Sequence, residues 1–241
     1  MLKGLWKLSW IETKVFIREP MGVVGSLVVP VFIFVIFGRM FGASSRAAPF
    51  NAAILAALLI AVGAVQSLIA IIAIYREGGI LKRLRATPLS PATILSAHVL
   101  VKLLFTVVSL ALLVLAGRRV FPGAMDVNLV SFTAALLLGT LSILTLGFVL
   151  ASLVPTARFA QPLGAVILYP MLAFSGLFFP LSELPAWLRG VAYLLPTTHA
   201  VALLQGVWDG SGWAAHWADA AMLLVLGAAF TLLSTKVFRW E

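Results

Sequence analysis

Apolar runs long enough to cross a lipid bilayer constrain this chain more than any motif in it. Residues 51–74 and 92–116 carry almost nothing but aliphatic, small and hydroxylic side chains. A helix needs about 20 such residues to traverse the hydrocarbon of a membrane. Inside lipid no water meets the backbone, so each run folds as a helix that satisfies its own peptide groups. Of the 241 residues, 62% are hydrophobic and only 10% are charged, against about 25% charge in a soluble domain. The fold class is therefore all-α, as a polytopic membrane protein with one domain over 1–241. The chain has no cysteine, which excludes disulfides, thiol chemistry and cysteine metal sites.

Six transmembrane helices are expected, over 21–41, 51–74, 92–116, 129–154, 162–180 and 219–235, which puts both termini on one side. The 17 cations choose the side. Lys3, Lys7, Lys14, Arg18, Arg76, Lys82, Arg83, Arg85, Arg158, Lys236 and Arg239 fall at the termini and on the loops after spans 2 and 4. Arg39, Arg46, Arg118, Arg119 and Arg189 fall on the other set, and Lys102 lies within span 3. The positive-inside bias makes the first set cytoplasmic, with Arg118-Arg119 running against it. The same bias accounts for the net charge of +9 without any nucleic-acid partner.

Residues 1–20 are too charged to span, and no cleavable signal peptide is apparent. Lys3, Lys7, Lys14 and Arg18 share one side of a helical wheel. Trp6, Trp10, Phe16 and Ile17 supply apolar and aromatic surface. That pattern suits an amphipathic helix lying in the membrane interface, ended by Glu19-Pro20. The other reading is an unstructured basic leader. The longest connection, 181–217, is rich in Leu, Val and Trp. Ser182 and Pro185 suit the start of one short helix, Pro196 suits its end, and a second helix can begin near Thr197. Two short apolar helices that dip into the outer leaflet and return fit this segment, with a solvated external loop as the alternative.

The segment 75–91 is short, basic and amphipathic. As a helix it puts Ile80, Leu81 and Leu84 on one side and Lys82, Arg83 and Arg85 on the other. Anchoring against anionic lipid headgroups would suffice for such cations. Docking on an acidic cytoplasmic partner would also use them.

No phosphate loop, nucleophile elbow or zinc-protease helix occurs in the sequence, so no catalytic, cofactor-binding or metal site is expected. Ser175 and His199 are the one pair a hydrolase could use, with nothing else pointing to one. Lys102 is either functional or snorkels to the interface. No series of buried acids suggests a proton relay. Pro162, Pro170 and Pro180 punctuate span 5. Gly139, Ser142, Thr145 and Gly147 lighten span 4, either for close helix packing or to offer mild polarity to a ligand.

Three features together resemble the membrane subunit of an ABC-2 type ABC transporter. One is Arg76-Glu77-Gly78-Gly79-Ile80-Leu81-Lys82-Arg83-Leu84-Arg85 with the residues up to Ser90. The second is Ser175-Gly176-Leu177-Phe178-Phe179-Pro180, followed by Leu184-Pro185-Ala186-Trp187-Leu188 and Leu195-Pro196-Thr197-Thr198-His199-Ala200. The third is the basic amphipathic helix before span 1.

The resemblance implies an exporter permease that dimerises and borrows its energy from a separate ABC ATPase subunit, where ATP and magnesium would bind. It makes 76–91 the coupling helix, with Arg76, Glu77, Ile80, Leu81, Lys82, Arg83, Leu84 and Arg85 at the ATPase contact. It puts Phe178, Phe179, Pro180, Pro185, Trp187, Pro196 and His199 at the outer re-entrant gate, and spans 2 and 5 of two protomers around the pathway. The chain would not be an enzyme by itself. The expected place is a bacterial inner or plasma membrane, and the expected cargo a hydrophobic or amphipathic drug, lipid or lipid-linked glycan. A non-transporting membrane scaffold is the alternative reading.

Overall fold

A computed structural model describes residues 2–41, 51–80, 91–122, 127–154 and 156–237. Every regular element among them is helical. The order is α1 (Leu2–Arg18), α2 (Pro20–Val23), a π-helical turn (Val24–Val28), α3 (Val29–Phe41), α4 (Ala52–Glu77), α5 (Pro91–Val120), α6 (Leu129–Leu153) and α7 (Ala157–Ala173). A 3-10 turn (Leu181–Glu183), α8 (Ala186–Ala192), α9 (Pro196–Trp208), α10 (Gly212–Ala215) and α11 (Trp217–Val237) complete it.

Five helical stretches are long and apolar enough to cross a membrane: Val24–Phe41, Ala52–Glu77, Thr93–Val120, Leu129–Leu153 and Trp217–Lys236. They coincide with expected spans 1, 2, 3, 4 and 6. The expected run 162–180 is not one helix. Instead α7 has 17 residues, starts at Ala157 and stops at Ala173, a length of about 26 Å. Pro162 and Pro170 lie inside it rather than bounding it. The chain then turns away, and Gly176 takes φ +86, a left-handed conformation that costs a residue without Cβ little.

The long central helix α4 is the axis of the bundle. It packs against α3, α5, α6 and α7 and is buried along most of its length. Asn51 caps it, accepting from the Ala53 and Ile54 amides at 2.9 and 3.3 Å. It ends at Glu77, inside the segment 75–91 singled out as basic and amphipathic, and Gly79 then takes φ +66. Small residues bring helices close. A Cβ on Gly147 would sit 2.8 Å from Val65 Cγ1, and one on Gly139 would sit 2.9 Å from the Ala200 Cβ. These glycines of span 4 therefore serve helix packing.

Span 1 carries a proline at Pro30. Proline has no N–H, so the Ser26 carbonyl loses its usual helical donor. The π-helical turn lies over this position, and Ser109 Oγ of α5 donates to the Ser26 carbonyl at 2.8 Å. A polar side chain from another span thus replaces the missing backbone bond.

Candidate coupling site and inner cavity

Three consecutive residues at the end of α4 each grip a different element. Tyr75 donates its phenolic O–H to Glu12 Oε1 of α1 at 2.7 Å. Arg76 Nη1 donates to the carbonyls of Ala151 and Val154, at the end of α6, at 3.0 Å each. Glu77 Oε2 accepts the backbone N–H of Ala157, the first residue of α7, at 2.9 Å. The last carbonyls and first amides of a helix have no partner of their own, and they carry partial negative and positive charge. A cation therefore closes the end of α6 and an anion closes the start of α7, both from one turn of α4. Thr156, at the N-cap position of α7, makes no side-chain cap bond, so Glu77 takes that role.

The N-terminal helix is tied in by the same node and has three sides. Lys7, Lys14 and Arg18 are exposed on one side. Trp6, Trp10 and Ile17 are exposed on a second. Glu12 and Phe16 face the protein, at 6% and 5% exposure. Phe16 is thus not part of the outward apolar surface but lies against Phe105 of α5, ring centroids 4.1 Å apart. Glu12 Oε2 also reaches His98 Nδ1 at 3.5 Å. Burial pushes the Glu12 carboxyl above its ordinary value, while the Tyr75 hydrogen bond and the charge of Lys102 pull it back.

Lys102 does not reach into open interface. Its Nζ donates to Ser67 Oγ of α4 at 2.6 Å and lies 4.7 Å from the centroid of the Phe16 ring. A cavity of about 330 Å³ opens beside it between α1, span 1, α4, α5 and α7, with Glu12, Glu19, Gln66, Ser67, Lys102 and Tyr169 among its walls. The sequence offered Lys102 alone as a signal for this cavity. Neither Glu12, an acid in a basic helix, nor Gln66, an amide in an apolar run, was singled out by the sequence.

Of the residues expected at an ATPase contact, Arg76 and Glu77 bond within the bundle, and Ile80 is 36% exposed. Leu81, Lys82, Arg83, Leu84 and Arg85 lie outside the described residues. Of the residues expected at an outer gate, Phe178, Phe179 and Pro180 line a shallow depression with Thr198 and Gln205 of α9. Pro185 and Trp187 are exposed and do not line it. Pro196 begins α9 and is buried. His199 is held from both sides: Nε2 is 2.9 Å from the Tyr193 carbonyl and Nδ1 is 2.8 Å from Asp219 Oδ1. Asp219 Oδ2 also holds His216 Nδ1 at 3.0 Å. Ser175 Oγ donates to the Leu172 carbonyl at 2.6 Å, so no hydrogen bond joins Ser175 to His199 among the described residues.

The model of the family described as ABC-2 type transporter matches residues 3–207. The chain belongs to that family. Two curated relatives, the inner membrane transport permeases YhhJ of Escherichia coli (strain K12) and of Shigella flexneri, are each 25% identical over 166 residues. Those residues cover 68% of this chain and 44% of either relative, so the chain spans less than half the length of the relatives it matches. In this ABC-2 chain the matched region takes in α1, the node at the end of α4 and α9, and it stops short of α11.

Proposed function

We propose that the chain is the membrane-spanning permease of an ATP-driven exporter in a bacterial inner membrane, working as a dimer with a separate ATPase. The observation that carries this reading is the node at Tyr75, Arg76 and Glu77. A segment that receives mechanical work must pass it on through rigid contacts with the elements that move. The end of α4 bonds to α1, α6 and α7 at once. A displacement of the segment that follows it is therefore delivered to three elements together.

In this reading 80–90 docks on the ATPase, with Lys82, Arg83 and Arg85 meeting acidic groups and Ile80, Leu81 and Leu84 supplying the apolar contact. ATP and magnesium belong to the partner. Both termini face the cytoplasm, and α7 with 174–180 makes the sixth crossing. Residues 181–217 form the re-entrant outer region, with Phe178, Phe179, Pro180, Pro185, Trp187, Pro196 and His199 at the gate. The second copy sits across spans 2 and 5, as the family resemblance implies.

The test is co-purification of the full chain from native membranes. A stoichiometric P-loop ATPase is expected, and its hydrolysis should respond to Arg83→Ala/Arg85→Ala. Recovery of the chain with no ATPase would favour a scaffold and overturn the proposal.

A further inference from the structure

Two histidines meet on one carboxylate beside the start of α11. Asp219, in the first turn of that helix, has Oδ1 at 2.8 Å from His199 Nδ1 and Oδ2 at 3.0 Å from His216 Nδ1. His199 belongs to α9, and His216 lies between α10 and α11. The His216 ring rests on α9, where a Cβ at Gly206 would collide with it. On its far side His199 faces a second acceptor, the Tyr193 carbonyl, 2.9 Å from Nε2. A neutral imidazole has one N–H and one lone pair, so it donates to only one of two acceptors. The imidazolium has two N–H groups and can donate to both. Taking up a proton thus adds a bond at His199 and sets a cation against the Asp219 carboxylate. Water reaches the group, since the His216 and Asp219 side chains are 28% and 24% exposed.

The surrounding elements leave this chemistry to the three residues. α9 packs against α4, α6, α7, α10 and α11. α6 and α10 carry no ionisable side chain. Tyr75, Arg76 and Glu77 of α4 bond at the inner node. Arg158 lies in the first turn of α7, and Tyr169 lines the inner cavity. Lys236 is in the last turn of α11. Among the described residues, Glu183, Arg189 and Asp209 form no ion pair with His199, His216 or Asp219.

We propose that His199, Asp219 and His216 form a clasp between α9 and α11 that acid on the outer side tightens. The clasped arrangement makes more bonds with the extra proton than without it, so a falling pH favours it. The proposal rests on the permease reading for what the clasp restrains, the outer gate. The clasp itself needs no ATPase.

The chain has no cysteine, so spin labels attach only where cysteines are introduced. Leu194→Cys and Ala218→Cys, both at exposed positions, flank the line of contacts from Tyr193 through His199 to Asp219. Their separation is measured by double electron–electron resonance on the full chain in nanodiscs, diluted with unlabelled chain. The pH is varied from about 5 to 8, the range in which histidine changes charge. A narrow distance is expected at the acid end and a broader, longer distribution at the alkaline end. His199→Gln, whose amide donates from one atom only, should give the broad distribution throughout, and so should Asp219→Asn. Asp209→Asn, an exposed acid just after α9, should keep the unmodified response. A distance in the otherwise unmodified chain that ignores pH, or narrows as pH rises, would overturn the proposal. So would an undiminished response in both His199→Gln and Asp219→Asn. No ATPase is present in the measurement, so its outcome is independent of the permease reading.

Discussion

Glu77 closes the start of a helix that begins 80 residues further along the chain, with its carboxylate 2.9 Å from the Ala157 amide nitrogen. Local capping residues usually do this work. Here the cap comes from another span, so the helix α7 and the end of α4 cannot move apart without exposing α7's first amides. Replacing Glu77 by Ala should lower stability by about 1 kcal/mol, as for a lost N-cap. It should lower ATPase-coupled transport by far more than that implies. Thermal unfolding of the solubilised chain, compared with hydrolysis and transport in proteoliposomes, separates the two effects. Unchanged coupling in Glu77→Ala would remove the node from the mechanism.

The bond between Ser109 and the Ser26 carbonyl exists because Pro30 has no N–H to give. Ser109→Ala should cost about 0.6 kcal/mol, the usual worth of a hydrogen bond between spans. In a Pro30→Ala background the backbone can supply the donor itself, so the same change should cost less. A double-mutant cycle on unfolding in mixed micelles reads the difference. Strict additivity would break the link.

Gly139 and Ala200 are in contact at positions where neither can yield by rotating a side chain. Gly139→Ala should therefore destabilise by about 1–3 kcal/mol, the cost of overpacking. Adding Ala200→Gly should recover most of it. A single variant as stable as the wild type would show that α6 and α9 can separate freely.

Asp219 holds two histidines, His199 and His216, at 2.8 and 3.0 Å. The Tyr193 carbonyl lies 2.9 Å from Nε2 on the far side of the His199 ring. Asp219→Ala should destabilise the packing of α9 on α11 by about 2 kcal/mol, as for a hydrogen bond to a charged group. Asp209→Ala, at an exposed turn, should do little. The comparison is read by hydrogen exchange across 196–208.

The Glu12 carboxyl is raised above its ordinary value of 4.5 by burial. A raised carboxyl contributes stability that is fully present below that ordinary value and is lost as pH rises through the folded-state value. Glu12→Gln, neutral at every pH, should therefore gain on the wild type at pH 7. That gain should shrink as the pH falls toward 4.5. Melting temperatures of both proteins over pH 4–8 measure it, and a gain that grows on acidification would reverse the sign.

Much of this was legible in the sequence because lipid leaves a chain few options. Apolar runs of spanning length had to be helices, and α4, α5, α6 and α11 lie where length and hydropathy put them. The amphipathic N-terminal helix was legible from four cations at helical spacing. Span 5 was misjudged because prolines look like boundaries. A helix in a bundle tolerates Pro162 and Pro170 when its neighbours hold the freed backbone groups. That Phe16 packs inward while Trp6, Trp10 and Ile17 face outward was not legible, because a wheel shows which residues share a side but not which side meets α5.

What the sequence determined by itself was the solvent: an apolar, cysteine-free chain with its cations in clusters belongs in a bilayer as helices. What only the tertiary structure decided was which polar groups meet. Glu12 and Tyr75 are 63 positions apart, and Glu77 and Ala157 are 80. Hydropathy is a sum over neighbours along the chain, whereas a hydrogen bond depends on separation in space. For a few polar residues in an apolar bundle, only packing sets that separation.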